Sequence, residues 1–376
     1  MTLPNGWKNV RLSELGTFSK GSGIKRDEAN SGSIPAIRYG EIYTAHNDYI
    51  KQFQSFISEK IAKEATLLKN GDLLFSCSGE TKEDIGKCVA FVSNERAYAG
   101  GDIIILSPTV PCDSKYIGFL CNSSFVNKQR YSFAQGDSIV HISSESIGKI
   151  EIPFPPLNEQ KKIAATLSVW DSAIEKMEKL IEAKENEFNI ALKQNLIEEG
   201  IALKWKEIPL TEIIKSVTPP SKIHQDSYLK SGKYPIVDQS KDLIAGWTND
   251  ESSVLKTNNP LIVFGDHTCA LKIMEVPFAQ GADGIKILSA KDDYDPVYIY
   301  YAIKANPVIP EGYKRHFSAL MLKNVFCPSF EEQKKYAAYF KSFDDELSLL
   351  KQQLENYKKQ KQGLMQKLLT GQWRVK

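Results

Sequence analysis

The sequence predicts an α+β protein built as a tandem: two mixed α/β heads, each followed by one long helix, the two helices pairing as an antiparallel coiled coil with pseudo-two-fold symmetry. Three observations predict it: a proline-led motif that recurs at an offset of 173 residues, a sustained 3.5-residue apolar spacing behind both copies, and short β-branched runs ahead of both. At 376 residues the chain is longer than one hydrophobic core usually grows. The expected boundaries are 1–157 for the first head, 158–199 for the first helix, 200–330 for the second head, and 331–376 for the second helix and tail.

The first head opens on Trp7-Lys8-Asn9-Val10-Arg11-Leu12-Ser13-Glu14-Leu15. Within it, β-branched runs bounded by Gly, Asn, Asp or Pro read as strands at 72–76, 87–92 and 102–106. The head ends at Pro155-Pro156-Leu157-Asn158-Glu159-Gln160-Lys161-Lys162-Ile163-Ala164-Ala165, where proline closes the preceding strand and an acid in the first turn suits the helix dipole. The first helix then carries a seam of Ile163, Leu167, Trp170, Ile174, Met177, Ile181, Lys184, Phe188, Ala191 and Asn195. Gly200, just past it, reads as a stop signal.

The second head repeats the opening as Trp205-Lys206-Glu207-Ile208-Pro209-Leu210-Thr211-Glu212-Ile213 and predicts strands at 260–264, 270–276 and 284–288. Tyr98-Ala99-Gly100-Gly101-Asp102-Ile103 and Phe278-Ala279-Gln280-Gly281-Ala282-Asp283-Gly284-Ile285 suggest one fold used twice, although the heads otherwise diverge. The junction returns as Pro328-Ser329-Phe330-Glu331-Glu332-Gln333-Lys334-Lys335-Tyr336-Ala337-Ala338. Its helix carries Tyr336, Phe340, Phe343, Leu347, Leu350, Leu354, Tyr357, Lys361, Leu364 and Leu368, with Gly371 as the stop. Lys184, Asn195 and Lys361 interrupt the seam; such residues either fix register or snorkel outward.

Composition excludes several classes. Hydrophobic residues at 42% and charged residues at 25% are ordinary for a globular protein. The N-terminus lacks a signal-peptide pattern and no run approaches a membrane span, so a cytoplasmic protein is expected. Six cysteines without Cys-x-x-Cys spacing predict reduced thiols and no metal site. Residues 1–157 carry 17 Lys+Arg against 17 Asp+Glu, and residues 199–330 carry 15 against 15, so charge alone announces no nucleic acid. The chain has no phosphate loop, nucleophile elbow or paired-His motif, and Phe154-Pro155-Pro156-Leu157 and Thr218-Pro219-Pro220-Ser221 do not fit the tetrapeptide of amino-methyltransferases. No catalytic residue and no cofactor is expected. The triplets Glu80-Thr81-Lys82 and Asp113-Ser114-Lys115 have a nuclease-like pattern that arises easily by chance.

The order of head, helix, head and helix, the Pro155–Ala165 entry with its echo at Pro328–Ala338, and the ending Gly363-Leu364-Met365-Gln366-Lys367-Leu368-Leu369-Thr370-Gly371 together resemble the specificity subunit (HsdS type) of type I restriction-modification enzymes, over essentially the whole chain. The second junction departs mildly, with Pro328-Ser329-Phe330 in place of Pro-Pro-Leu. The resemblance implies a non-catalytic DNA reader. Each head would be a target-recognition domain for half of a split site, and the helices would act as spacer and docking surface for two methyltransferase subunits and for restriction/translocase subunits. A helix of about 40 residues rises roughly 60 Å, long enough to link sites more than one turn of DNA apart, about 34–36 Å.

For such a reader, side chains able to contact base edges or phosphates are the candidates. In the first head these are Lys20, Ser22, Lys25, Arg26, Arg38, Tyr39, Ser78, Lys82, Lys128, Arg130 and Gln135. In the second they are Lys222, His224, Lys233, Gln239, Ser240, His267, Thr268, Lys314, Arg315 and His316. Two alternatives stay open on the sequence: a coiled-coil scaffold whose heads bind proteins, and a single-chain nuclease using the two triplets.

Overall fold

The computed structural model describes residues 3–79, 81, 84–133, 140–282, 284–312 and 314–375. The chain divides into two compact units, Met1–Lys176 with Leu354–Lys376, and Met177–Gln353. Both divisions fall inside the long helices, which run Leu157–Lys193 and Phe330–Leu369. Each unit therefore holds one head, a piece of the first helix and a piece of the second.

In the first unit an antiparallel sheet is ordered Gly16–Lys20, Ile103–Pro108, Leu73–Ser76, Cys88–Ala90. A second sheet is ordered Ser55–Ile57, Ile34–Ile37, Tyr98–Ala99, Thr66–Leu67, with its middle pair parallel. A ribbon of Lys8–Arg11 and Glu151–Phe154 joins the start of the head to its end. The run Ile103-Ile104-Ile105-Leu106 is buried on both faces, as a central strand between two apolar layers must be. Alternation sends Ile103 and Ile105 toward the second sheet with Ile37, Leu74 and Val89. Ile104 and Leu106 point the other way, into a cluster with Tyr116, Phe119, Ile163, Leu167 and Leu368. The long helices thus complete the core of the head.

The second unit repeats this plan strand for strand. Its antiparallel sheet is ordered Ile214–Val217, Ile285–Ala290, Leu261–Gly265, Leu271–Met274. Its second sheet is ordered Gly246–Thr248, Tyr234–Val237, Phe278–Gln280, Val254–Leu255, again with a parallel middle pair. Lys206–Pro209 pairs with Asn324–Cys327 as the closing ribbon. The six predicted strands overlap observed ones, with ends displaced by a residue or two.

The repeated junction owes its sequence to a buried glutamine. Gln160, fully buried, donates through Nε2 to the Pro155 carbonyl (2.8 Å) and accepts at Oε1 from the Asp113 N–H (2.9 Å). Gln333 makes the same two bonds, to the Pro328 carbonyl (3.0 Å) and from the Asp295 N–H (3.0 Å). Asp113 and Asp295 in turn cap the helices Ser114–Cys121 and Pro296–Ala305. A buried tyrosine on each helix then donates to the closing strand, Tyr116 to Pro153 (3.0 Å) and Tyr298 to Phe326 (2.5 Å). The acid of the Asp113-Ser114-Lys115 triplet is therefore a helix cap.

Each unit pairs its pieces of the two helices, and in the second unit they run antiparallel, since Lys184 lies beside Glu346 and Phe188 beside Phe343 and Phe340. In the first unit Trp170 meets Tyr357 edge to face at 6.0 Å, and Lys361 reaches Asp171 at 2.5 Å and Asp48 at 3.4 Å. In the second, Phe188 packs on Phe343 (5.0 Å) and Phe340 (6.0 Å), and Lys184 reaches Glu346 at 3.5 Å. Of the seam lysines, Lys184 reaches outward, whereas Lys361 is buried in an ion network. Asn195 donates to the Ala191 carbonyl (2.8 Å) inside a π-helical turn, Gln194–Glu198.

Gly200 is not a stop signal. It lies within the turn Glu199–Ala202, where a Cβ would meet the Phe326 ring at 2.8 Å, and the chain leaves at Lys204 with φ +55°. Gly371, at φ +74°, does end its helix in the left-handed conformation.

Candidate nucleic-acid interface

In the second head, strands Ile214–Val217 and Leu261–Gly265 finish where Ile285–Ala290 begins, and this end of the sheet opens onto a cleft of about 580 Å³. It brings together Lys222, Gln239, His267 and Arg315 from the predicted set, along with Asp266, Gln280 and Lys286. Asp266 ties down the loop that carries Arg315. Its Oδ1 accepts from the His316 and Phe317 N–H groups (3.0 and 2.8 Å), capping the turn Phe317–Met321. His316 is buried, with Nδ1 at 3.2 Å from the Asp266 carbonyl and Nε2 accepting from the Glu311 N–H at 2.9 Å. That pattern suits a neutral imidazole protonated on Nδ1 and makes His316 a staple for the loop. The Arg315 side chain is 81% exposed, 4.0 Å from Asp266, a separation and exposure that leave its guanidinium able to take up an anion.

Behind the cleft, Lys272 donates to the Asp238 carbonyl (2.8 Å), and its burial pushes its ammonium below the usual lysine range. Thr268 donates to the Gln239 carbonyl (2.6 Å), so two side chains hold the segment that presents Gln239 and Ser240.

The first head presents its candidates from strand ends of both its sheets, at positions that match those of the second head. Lys20 ends strand Gly16–Lys20, Ser22 follows it, Arg38 and Tyr39 follow strand Ile34–Ile37, and Ser78 follows strand Leu73–Ser76. Internal partners hold several of them. The Ser22 hydroxyl donates to the Glu64 carbonyl (2.8 Å), Arg38 Nε reaches Glu41 (2.9 Å) and Ser55 (3.0 Å), and Ser78 Oγ lies 3.1 Å from His141 Nδ1. Lys20 and Tyr39 face solvent. Cys77, 3.7 Å from Asp102, is pushed up by burial, which makes its thiol a poor nucleophile.

The remaining candidates lie elsewhere in their heads. Lys25 and Arg26 sit exposed on a short 3₁₀ turn, and Lys128 on the helix Ser124–Phe133. Arg130 is buried on that helix, stacked over the Tyr131 ring at 5.2 Å. His224 pairs with Asp226 (3.1 Å), Lys233 with Glu251 (3.8 Å) and Lys314 with Glu311 (2.6 Å) on exposed surfaces. Lys82 and Gln135 lie outside the described residues, as does Glu80 of the first triplet.

Sequence reasoning missed Lys286, Gln280, Asp266 and His141. Lys286 had a signal in the alternation Ile285-Lys286-Ile287, which turns a lone charge away from the core. Asp266 and His141 act across gaps of 50 and 63 residues, which no local spacing reveals. Among the described residues no cluster of His, Cys, Asp or Glu is arranged to hold a metal, all six cysteines are free thiols, and no helix is long and apolar enough to cross a membrane.

Comparison with known proteins places this architecture. The family model described as the type I restriction modification DNA specificity domain matches residues 4–185. The chain is similar to the MjaX specificity subunit of Methanocaldococcus jannaschii, 27% identical across all of this chain and 95% of that one. The EcoKI specificity subunit of Escherichia coli K12 is 28% identical over 44% of this chain and 36% of its own. In fold, the chain resembles the crystal structure of the type I restriction-modification S subunit from M. genitalium, with a TM-score of 0.65 at 18% identity over 98% of both chains.

Proposed function

We propose that this chain belongs to the type I restriction-modification specificity family, supplies DNA-sequence specificity to such a system and reads a split target with two heads, a reading supported by its likeness to that family's domain model and to a specificity subunit along its whole length. Each head takes one half-site at the matching strand ends of its two sheets. In the second head Lys222, Lys286 and Arg315 supply charge for phosphates, while Gln239, Gln280 and His267 face bases. In the first head Lys20, Tyr39 and Ser78 take the corresponding places. The carrying observation is that the scaffold repeats while the end of each sheet differs. The same strand order and the same glutamine lock occur twice, yet two residues past the matching strands one head presents Tyr39 and Ser78 where the other presents Gln239 and His267.

As a specificity subunit the chain works with DNA and with the other subunits of its system. On this proposal the long helices carry the docking surface for two methyltransferase subunits, and restriction/translocase subunits join that assembly in the cytoplasm. Exposed apolar side chains on both helices, among them Val169, Ile190 and Leu349, support such a surface.

The test is a genome-wide map of methylated bases in cells with and without this chain, the companion methyltransferase being kept intact. A split motif with a fixed gap that vanishes on deletion is the expected result. Unchanged methylation, or loss of a continuous motif, overturns the two-head reader and favours a scaffold without DNA specificity.

A further inference from the structure

Resting on the two-head reading above, we propose that Gln239 is a base-reading residue of the second head and selects an adenine in the major groove of its half-site. Three observations carry this.

First, the carboxamide is pre-set by backbone. Gly284 has φ +99°, and a Cβ there would meet Gln239 Oε1 at 2.7 Å and Cδ at 2.9 Å; a Cβ on Gly265 would meet Gln239 Cβ at 3.3 Å. The side chain is thus laid along two glycines, and the Gln239 carbonyl is fixed by Thr268 at 2.6 Å. A reader held in one geometry forfeits little rotamer freedom on binding.

Second, its hydrogen-bonding capacity is unmet. Among the described residues Gln239 Oε1 has no partner, although it is shielded from solvent. Burying an amide oxygen without a donor is unfavourable, and it is the state in which a group built for a ligand waits.

Third, the cleft around it suits a polyanion. Lys222, Lys286 and Arg315 line it, and Lys286 lies over the Phe317 ring at 5.3 Å. A carboxamide offers an acceptor beside a donor pair, and adenine N6 and N7 present the matching donor and acceptor in the major groove. An ammonium or guanidinium carries no acceptor, so the cations of the cleft do not substitute for it.

The experiment uses the assembled modification complex in cells, with Gln239→Ala, Gln239→Glu and Lys286→Ala compared against the wild type and the deletion by methylation mapping. Gln239→Ala is expected to relax one adenine position of one half-site by about five- to 150-fold, the range a bidentate contact supplies. The other half-site, read in the same molecules, stays intact and controls for folding. Gln239→Glu is expected to move that position toward cytosine, whose N4 donates to a carboxylate. Lys286→Ala is expected to lower methylation across all sites with no change of motif.

A Gln239→Ala motif identical to the wild type overturns the assignment while the two-head reading stands. So does relaxation at a position that was never adenine, or an equal loss at both half-sites. If deleting the whole chain leaves the methylation map unchanged, the two-head reading falls and the assignment with it.

Discussion

At the scale of single residues, two buried groups make the heads sensitive to defined perturbations. His46 is buried, and its Nε2 has no hydrogen-bond partner among the described residues. Burial pulls its pKa below 6.5, with Glu41 opposing and Lys87 assisting. In the unfolded chain the ring takes a proton near pH 6.5, whereas the folded head refuses it until lower pH. The unfolded state therefore binds more protons inside that window, and the stability contributed is complete above pH 6.5 and lost as the pH falls toward the folded value. Urea midpoints measured from pH 7.5 to 5.5 are expected to fall more steeply for the wild type than for His46→Gln, and equal slopes would contradict this account. The junction glutamine offers a second test, independent of pH. Gln160→Leu strands the Asp113 N–H and the Pro155 carbonyl in the core, and each group left unpaired costs about 1–3 kcal/mol. Denaturant unfolding should register that loss, and Gln333→Leu should cost a similar amount through Asp295 and Pro328.

At the scale of elements, the seam holds one buried charge network, and its worth depends on completeness. Lys361 is 14% exposed, between Asp171 and Asp48 on side chains exposed 6% and 8%. Lys361→Met alone leaves two carboxylates without this cation and is expected to cost about 3–5 kcal/mol, whereas the double variant with Asp171→Leu should recover part of that, because the closer carboxylate is replaced along with its lysine while Asp48 keeps its bond from Asn122 (3.0 Å). Thermal or urea unfolding of the two variants decides it. This network also marks where the sequence stopped being legible. The strands and both long helices were readable because their signal is periodic: alternation in Ile103–Leu106 and 3.5-residue spacing from Ile163 and Tyr336 onward. Lys361 was visible as an interruption of the seam, but its partner Asp48 lies 313 residues away in the first head, beyond any local pattern. The Glu-Gln of the junction was visible as a repeat and assigned only to the helix dipole. Its glutamine acts through a carbonyl and an N–H on other segments, and Glu159 accepts from Trp7 and Arg374, contacts that only the folded chain assembles. Candidate site residues were chosen by type alone, which put His316 and Arg130 in the same group as Gln239 although burial separates them.

At the scale of the whole molecule, the repeat offset gives the two-head proposal its most demanding test. One long helix follows each head, and an α-helix adds about 1.5 Å per residue. Removing residues 174–180 and 347–353 deletes one heptad from each helix at positions related by the 173-residue offset, so the apolar spacing of both helices is preserved. Seven residues correspond to about 10 Å of helix, or about three base pairs at 3.4 Å each. If helix length sets the gap, methylation mapping of the double deletion should return both half-sites unchanged around a gap shortened by about three base pairs. The rotational setting is a second constraint, since three base pairs turn B-DNA by roughly a third of its 10–10.5 base-pair repeat, and a head must still meet the groove it reads. Loss of occupancy with the shortened motif intact is therefore compatible with a ruler, whereas altered half-sites with an unchanged gap would place the specificity in the helices and overturn it. Removing only one of the two heptads should be worse than removing both, because the seam is then forced out of register beyond the cut and Trp170–Tyr357 or Phe188–Phe343 must part.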